Sequence, residues 1–325
     1  MKQRALILGV TGQDGSYLTD LLLRIGYEVH GLVRLSSSLN PWRLQHLVEN
    51  PAAYRQRFFL HYADLNDTTS LRRLLVKIAP GEVYHLAGQS HVSLSSEIPE
   101  STCETNAMAT LRLLEILRDL PKSPRLFYAS SSEIFGHPRQ EPQDEQTPYA
   151  PINLYGCAKT FATQMVLVYR QSFRLFACNG IMYNHESPRR GENFVSRKIC
   201  QGAAAIKMGL QEELILGDLD AERDWGDARD FVRGMWSTLQ QEKPDDFVFA
   251  TGRTHRVQDI VNVAFKAVTL DWRKYVKQDR HFMRLSEPRR LVGNPAKAKR
   301  MLNWEPTTTF EQLITEMTLA ELALL

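Results

Sequence analysis

Short apolar runs and longer amphipathic stretches alternate regularly over the first half of the chain. Residues 5–8 form a continuous apolar run, the pattern of a strand buried on both faces of a parallel sheet. The run ends in Gly9-Val10-Thr11-Gly12-Gln13-Asp14-Gly15, after which Tyr17, Leu18, Leu21 and Leu22 recur at helical spacing as far as Gly26. Further strands are expected at residues 28–33, 57–63, 82–87, 126–129 and 174–179. Helical periodicity begins near Asp67-Thr68, continues through Leu111, Leu114 and Leu117, and runs again from Tyr155 to about Gln171. Strand and helix in this order predict an α/β fold, a doubly wound parallel sheet of the Rossmann type.

Beyond Asn184 the pattern is less regular, with a helix expected over residues 195–208 and a short strand over 214–216. This predicts a smaller C-terminal lobe for substrate. Residues 1–183 would form the dinucleotide-binding domain with the catalytic residues, and 184–325 mainly the lobe, with about 220–255 returning to the first domain. The stretch after Gly136, with Pro138, Pro142, Pro148 and Pro151, reads as a surface loop.

The glycine turn changes the picture from fold to ligand. Gly9, Thr11, Gly12, Gln13, Asp14 and Gly15 stand between strand and helix, where glycines permit close backbone approach and the helix N-terminus attracts a pyrophosphate. The second strand ends in Arg34 and Leu35-Ser36-Ser37-Ser38 instead of an acid, which suits the 2′-phosphate of NADP over NAD; a solvated surface cation is the alternative for Arg34. Asp64, beside Leu65, either meets the adenine or caps the next helix. Leu86 lies at the end of the fourth strand, and Gln89 and Ser90 follow it, where small residues admit the ribose and nicotinamide half.

The 325 residues are 43% hydrophobic and 24% charged, as in a water-soluble globular protein, and a net charge of +3 makes no case for nucleic acid. Cys103, Cys157, Cys178 and Cys200 show neither a CxxC pair nor metal-ligand spacing, so no metal is expected. With no leader pattern and no membrane-length apolar run, the expected compartment is the cytoplasm.

The candidate chemistry lies between Ser130 and Lys159. On a helix, Tyr155 and Lys159 share one face, so an ammonium sits beside a phenol. Bringing a phenol from its usual pKa to neutrality takes roughly 4 kcal/mol of preference for the phenolate, which a lysine and a cationic nicotinamide can supply. Ser131 and Glu133 arrive at the end of the fifth strand, adding a hydroxyl and a carboxylate.

These motifs resemble the GDP-mannose 4,6-dehydratases, extended short-chain dehydrogenase/reductases. The resemblance rests on residues 11–18, Gln89-Ser90-His91-Val92, Asn184-His185-Glu186-Ser187-Pro188-Arg189-Arg190-Gly191, Arg197-Lys198-Ile199, Arg223-Asp224-Trp225-Gly226 and Leu302-Asn303-Trp304. It implies an NADP-dependent lyase making a 4-keto-6-deoxy sugar from GDP-mannose or a related GDP-linked sugar such as a heptose. Ser131, Glu133, Tyr155 and Lys159 would be catalytic, with Glu133 removing the C5 proton that a plain oxidoreductase never touches. Lys159, His185, Arg190 and Ser36 would join the residues above in holding NADP. Asn184, Val195, Lys198, Arg223, Arg284 and Glu287 would hold the nucleotide sugar. Assembly as a homodimer or homotetramer is implied too.

The chain departs from the family pattern at Ser131 for a threonine, Leu35 for an arginine, Ser101 for a tyrosine and Leu285 for a proline. These lie at cofactor and nucleotide edges more than at the reacting carbons. The competing readings are a nucleotide-sugar 4-reductase or epimerase of the same fold, and a dinucleotide-binding protein without catalysis. The intact Tyr155, Lys159 and Glu133 set speaks against the last.

Overall fold

The computed structural model describes residues 3–34, 42–279 and 290–325. Each predicted apolar run becomes a strand and each amphipathic stretch a helix. In order come β1 (Arg4–Leu8), α1 (Gln13–Arg24), β2 (Glu28–Val33), α2 (Gln45–Val48), β3 (Phe58–Tyr62), α3 (Thr68–Ile78) and β4 (Glu82–His85). Next are α4 (Pro99–Cys103), α5 (Ala109–Asp119), β5 (Arg125–Ser131), α6 (Leu154–Phe173), β6 (Ala177–Met182), β7 (Asn184–Glu186), α7 (Val195–Lys207), β8 (Leu214–Leu216) and β9 (Glu222–Asp227). The chain continues through α8 (Ala228–Leu239), β10 (Phe247–Phe249), β11 (Thr254–Arg256), α9 (Val257–Ala267), β12 (Val276–Gln278), α10 (Ala296–Leu302) and α11 (Phe310–Leu322).

Seven strands form one sheet in the order β10-β6-β5-β4-β1-β2-β3, and every pairing in it is parallel. Helices α1, α8 and α10 cover one face through Leu18, Leu22, Phe231, Met235 and Leu302. Helices α3, α5 and α6 cover the other through Leu71, Leu75, Leu113, Leu117 and Val166. This is the doubly wound sheet the alternation predicts. The strand order reverses beside β1, so the ends of β1, β4 and β5 open into one crevice, the usual ligand position in such sheets. A separate core, including Ile199, Trp225, Ile260, Phe265, Leu313 and Met317, joins α7, α9 and α11 to the small strands. No helix of the described residues is long and apolar enough to cross a membrane.

Two local expectations shift. The sixth strand starts three residues later than periodicity suggests, because α6 runs to Phe173 and closes on Arg174 in a left-handed conformation (φ 56°). The proline-rich insert is not a loose surface loop. Its Gln143 is fully buried, exchanging backbone hydrogen bonds with Val292 and Asn294 at 2.8 and 2.7 Å. Glu145 accepts the Val248 N–H at 2.8 Å, so the insert covers the outer edge of β10. Four prolines restrict its backbone, and polar side chains, not apolar ones, pin it, which is why hydropathy misreads it.

Gln143 Oε1 accepts from both the Tyr183 hydroxyl and the Val292 N–H at 2.9 Å. Gln143→Ala leaves both buried donors without an acceptor, and at about 1–3 kcal/mol each the expected loss is roughly 2–6 kcal/mol. Denaturant unfolding checks this against Gln146→Ala, an exposed neighbour expected to change stability by less than about 0.5 kcal/mol.

Candidate active site

The crevice begins where β1 ends. Gly9 has φ of +87°, and a Cβ there would lie 2.7 Å from Ala87 N; a Cβ on Gly15 would lie 2.3 Å from Gly9 O. Only glycine fits either position, so the turn, the first turn of α1 and the loop after β4 close onto one another as backbone. The N-cap of α1 is Gly12, and no side chain caps the helix. Its first N–H groups therefore face the crevice without a side-chain acceptor, a cradle for a phosphate anion. Arg34 is exposed at the end of β2, and Leu86 and Gln89 line the loop after β4 with Ser90 exposed. Gln89 folds back on His91, accepting its N–H at 2.6 Å. Leu65 is buried, and the Asp64 carboxylate accepts the Asn66 N–H at 2.8 Å. Asp67, not Asp64, caps α3 through the N–H groups of Thr69 and Ser70, so the capping alternative for Asp64 does not hold. Ser36, Leu35, Arg284, Leu285 and Glu287 lie outside the described residues.

Gln13 and Asp14 tie the turn to the loop after β6. Gln13 Nε2 donates to His185 O at 3.0 Å and its Oε1 accepts from the Ser187 hydroxyl at 2.8 Å. The two His185 ring nitrogens lie 2.7 Å from Tyr183 O and 2.8 Å from Asp14 Oδ2. Both partners are acceptors, which suits a doubly protonated ring. Burial works against that charge, but the Asp14 carboxylate outweighs it and raises the His185 pKa. Burial likewise works against ionised Asp14, and His185 more than offsets it, holding the carboxyl below its usual range. Arg190 pairs with Glu186 at 3.0 Å and stacks 3.5 Å from the Phe194 ring centroid.

Strand β5 and helix α6 bring the four candidate catalytic residues together. Ser131, Glu133, Tyr155 and Lys159 are all buried, at 9, 8, 7 and 6% exposure, in a crevice that water reaches only narrowly. Ser131 Oγ accepts the Glu133 N–H at 3.3 Å, and a short 3₁₀ turn aims the carboxylate. Burial pushes the Tyr155 phenol up to about 12; the Ser131 hydroxyl opposes this and the Glu133 carboxylate adds to it. Burial also brings the Lys159 ammonium down to about 8, with Asp14 opposing. The four-residue spacing does place both on one face, with Nζ 5.8 Å from the Tyr155 ring centroid. Yet Nζ donates to Ala129 O at 2.7 Å, and the lysine alone does not lower the phenol. Proton abstraction by Tyr155 therefore needs a further positive charge, as a cationic nicotinamide provides.

Of the expected sugar-binding residues, Asn184 and Arg223 stand on the neighbouring strands β7 and β9, Arg223 buried and donating to Glu222 O at 2.7 Å. Val195 is exposed at the start of α7, and Lys198 on the same helix donates to Ile215 O at 2.8 Å. Sequence reasoning missed Asn153. Its Oδ1 caps α6 by accepting the Gly156 N–H at 2.7 Å, while Nδ2 donates to Glu133 Oε2 at 2.8 Å. One amide thus starts the helix carrying Tyr155 and Lys159 and orients the carboxylate. The available signal was an asparagine immediately before a helical pattern.

Residues 6–317 match the family model described as GDP-mannose 4,6 dehydratase. The chain is 49% identical over 318 residues to GDP-mannose 4,6 dehydratase 1 of Arabidopsis thaliana, covering 96% of this chain and 88% of that one. It is 44% identical to the GDP-mannose 4,6-dehydratase of Vibrio cholerae, covering 99% and 94%. Among solved structures, a UDP-glucuronic acid 4-epimerase from Bacillus cereus superposes with a TM-score of 0.87 over 99% of this chain and all of that one (100%), at 21% identity, a likeness of fold alone. The relatives extend over nearly the whole chain, and it belongs to the GDP-mannose 4,6-dehydratase family.

Proposed function

We propose that the protein is a nucleotide-sugar 4,6-dehydratase that converts GDP-mannose to its 4-keto-6-deoxy product with loss of water, using NADP. The observation that carries this reading is a buried carboxylate, Glu133, acting electrostatically on the buried Tyr155 phenol and oriented by Asn153. Oxidation at C4 needs no such carboxylate; elimination across C5 and C6 does. The narrow glycine cradle at Gly9 and Gly15 and the uncapped start of α1 suit a dinucleotide pyrophosphate, and Arg34, exposed after the neighbouring strand β2, suits a 2′-phosphate. Bound NADP supplies the hydride acceptor at C4 and the hydride donor at C6.

The residues of the chain manage the protons. Tyr155 takes the C4 hydroxyl proton, and Ser131 donates a hydrogen bond to the C4 oxygen. The ketone acidifies C5, and Glu133 takes the C5 proton and delivers it to the departing C6 hydroxyl. A proton matching the one left on Tyr155 then returns to C5 through Glu133. The C6 hydroxyl thus leaves as water with the C5 proton, Tyr155 releases the C4 hydroxyl proton to solvent as solvent resupplies C5 through Glu133, and net redox is zero. Lys159 holds positive charge beside Tyr155, and Asn184, Lys198 and Arg223 belong to the nucleotide-sugar side. Arginine suits a diphosphate because it offers two parallel donors.

Assembly as a homodimer or homotetramer is supported by Leu154, Phe161 and Val168, exposed at 39, 39 and 40% and seven residues apart on α6. Four free cysteines fit the reducing cytoplasm.

Wild-type enzyme carrying NADP is expected to yield the 4-keto-6-deoxy sugar from GDP-mannose without added reductant, as read by mass spectrometry; no product from any GDP-sugar would sink the assignment. Glu133→Gln is expected to oxidise C4 and stop, so reduced-cofactor absorbance accumulates while dehydration falls about 10²–10⁴-fold. Asn153→Asp keeps a good N-cap but removes the donor to Glu133. Turnover should fall roughly 10-fold or more with melting temperature nearly unchanged, and equal loss of both would make Asn153 structural only. Arg34→Ala is expected to weaken NADP binding about tenfold while sparing NAD, measured by titration calorimetry.

A further inference from the structure

Arg43, just before α2, lies in the field of three other arginines, Arg189, Arg190 and Arg197. Each of those has its own carboxylate. Arg189 pairs with Asp20 at 2.8 Å, Arg190 with Glu186 at 3.0 Å and Arg197 with Glu321 at 2.7 Å. Arg43 pairs with no carboxylate among the described residues. Its guanidinium rests on carbonyls instead, Nε donating to Arg189 O at 2.6 Å and Nη1 to Thr11 O at 3.2 Å. It also stacks 4.4 Å from the Trp42 ring centroid, which restrains it further.

Carbonyls satisfy donors but leave the charge unanswered. Arg43 is half-buried, and burial, then the positive charges of Arg197, Arg190 and Arg189, hold its pKa below the usual range, with Glu192 opposing. An arginine keeps its proton all the same, so the site calls for an anion. The position narrows which anion. Thr11 belongs to the turn after β1, and Arg34 follows β2, the next strand in the sheet; Leu8 pairs with Leu32, so the two strands end level and the turn and Arg34 leave the sheet side by side. In dinucleotide folds that junction receives the adenosine ribose, while the pyrophosphate takes the helix N-terminus. The pyrophosphate thus has the N–H groups of α1. A 2′-phosphate has Arg34, but at Leu35 the chain lacks the arginine of the family pattern.

We propose that Arg43 is the second cation for the 2′-phosphate of NADP, standing in for the arginine that position 35 lacks, and that with Arg34 it sets the preference for NADP over NAD. The proposal rests on the reading that the cofactor is NADP. A doubly charged phosphate is matched by two guanidinium groups, each offering parallel donors. Because the Arg43 guanidinium also holds Thr11 O and Arg189 O, a phosphate bound to it ties the segment before α2, the glycine turn and the loop after β6 into one unit.

The test is titration calorimetry of the cofactor-free full chain with NADP and with NAD, which carries the same pyrophosphate but no 2′-phosphate. Arg43→Ala is expected to weaken NADP binding about tenfold and NAD binding by less than about twofold, the loss of one charge-assisted contact. Arg43→Lys, which keeps the charge, is expected to stay within about threefold of wild type for NADP. Arg43→Gln keeps a donor for the carbonyls but no charge, and is expected to lose about as much as Arg43→Ala. With Arg34→Ala added to Arg43→Ala, the two cofactors are expected to bind within about threefold of each other. An equal loss for NADP and NAD in Arg43→Ala overturns the proposal, since it marks a clamp on the turn or a pyrophosphate contact. Unchanged NADP affinity in Arg43→Ala, or full recovery in Arg43→Gln, overturns it as well. Should Arg43→Ala fail to fold, Arg43→Gln against Arg43→Lys decides by the same ratios. A wild type that binds NAD as tightly as NADP strikes at the NADP reading itself, and at the proposal with it.

Discussion

Much of this structure follows from one steric constraint at the end of β1. There the chain must turn back into a helix while passing the loop after β4 closely enough that a Cβ on Gly9 would approach Ala87 N to 2.7 Å. Two glycines satisfy it, and their absent side chains leave the first turn of α1 facing the crevice. Because α1 starts so near the crossover, Gln13 and Asp14 reach the loop after β6 and grip His185 and Ser187. The loop after β6 is thus anchored on the glycine turn.

The second governing effect is desolvation. Tyr155 and Lys159 are both driven by burial toward their neutral forms, the phenol up and the ammonium down. An isolated helix with the same two residues would show neither shift. In the folded chain the site is a weak base until ligands add charge, so proton abstraction is coupled to binding. The Asp14–His185 pair resists the same burial because its members stabilise each other at 2.8 Å.

Some of this was legible in the sequence. Regular alternation carried the sheet, and the glycines carried the cradle, because close backbone approach leaves a signature in residue type. Tyr155, Lys159, Ser131 and Glu133 were visible because spacing and position at a strand end are local properties. Asp67 displaced Asp64 as the cap of α3 only once helix geometry was present. The insert around Gln143 was misread because its restraints are hydrogen bonds to residues far along the chain, which hydropathy does not report.

The sequence by itself determined the layered fold and the glycine turn between β1 and α1, since each depends on residue type within a short window, and it put Ser131, Glu133, Tyr155 and Lys159 forward as candidates. Tertiary structure alone decided that Asn153 meets Glu133 and that burial opposes the charged forms of Tyr155 and Lys159. Those outcomes depend on distances between strands and helices separated by dozens of residues and on exclusion of water, and neither is written in local order.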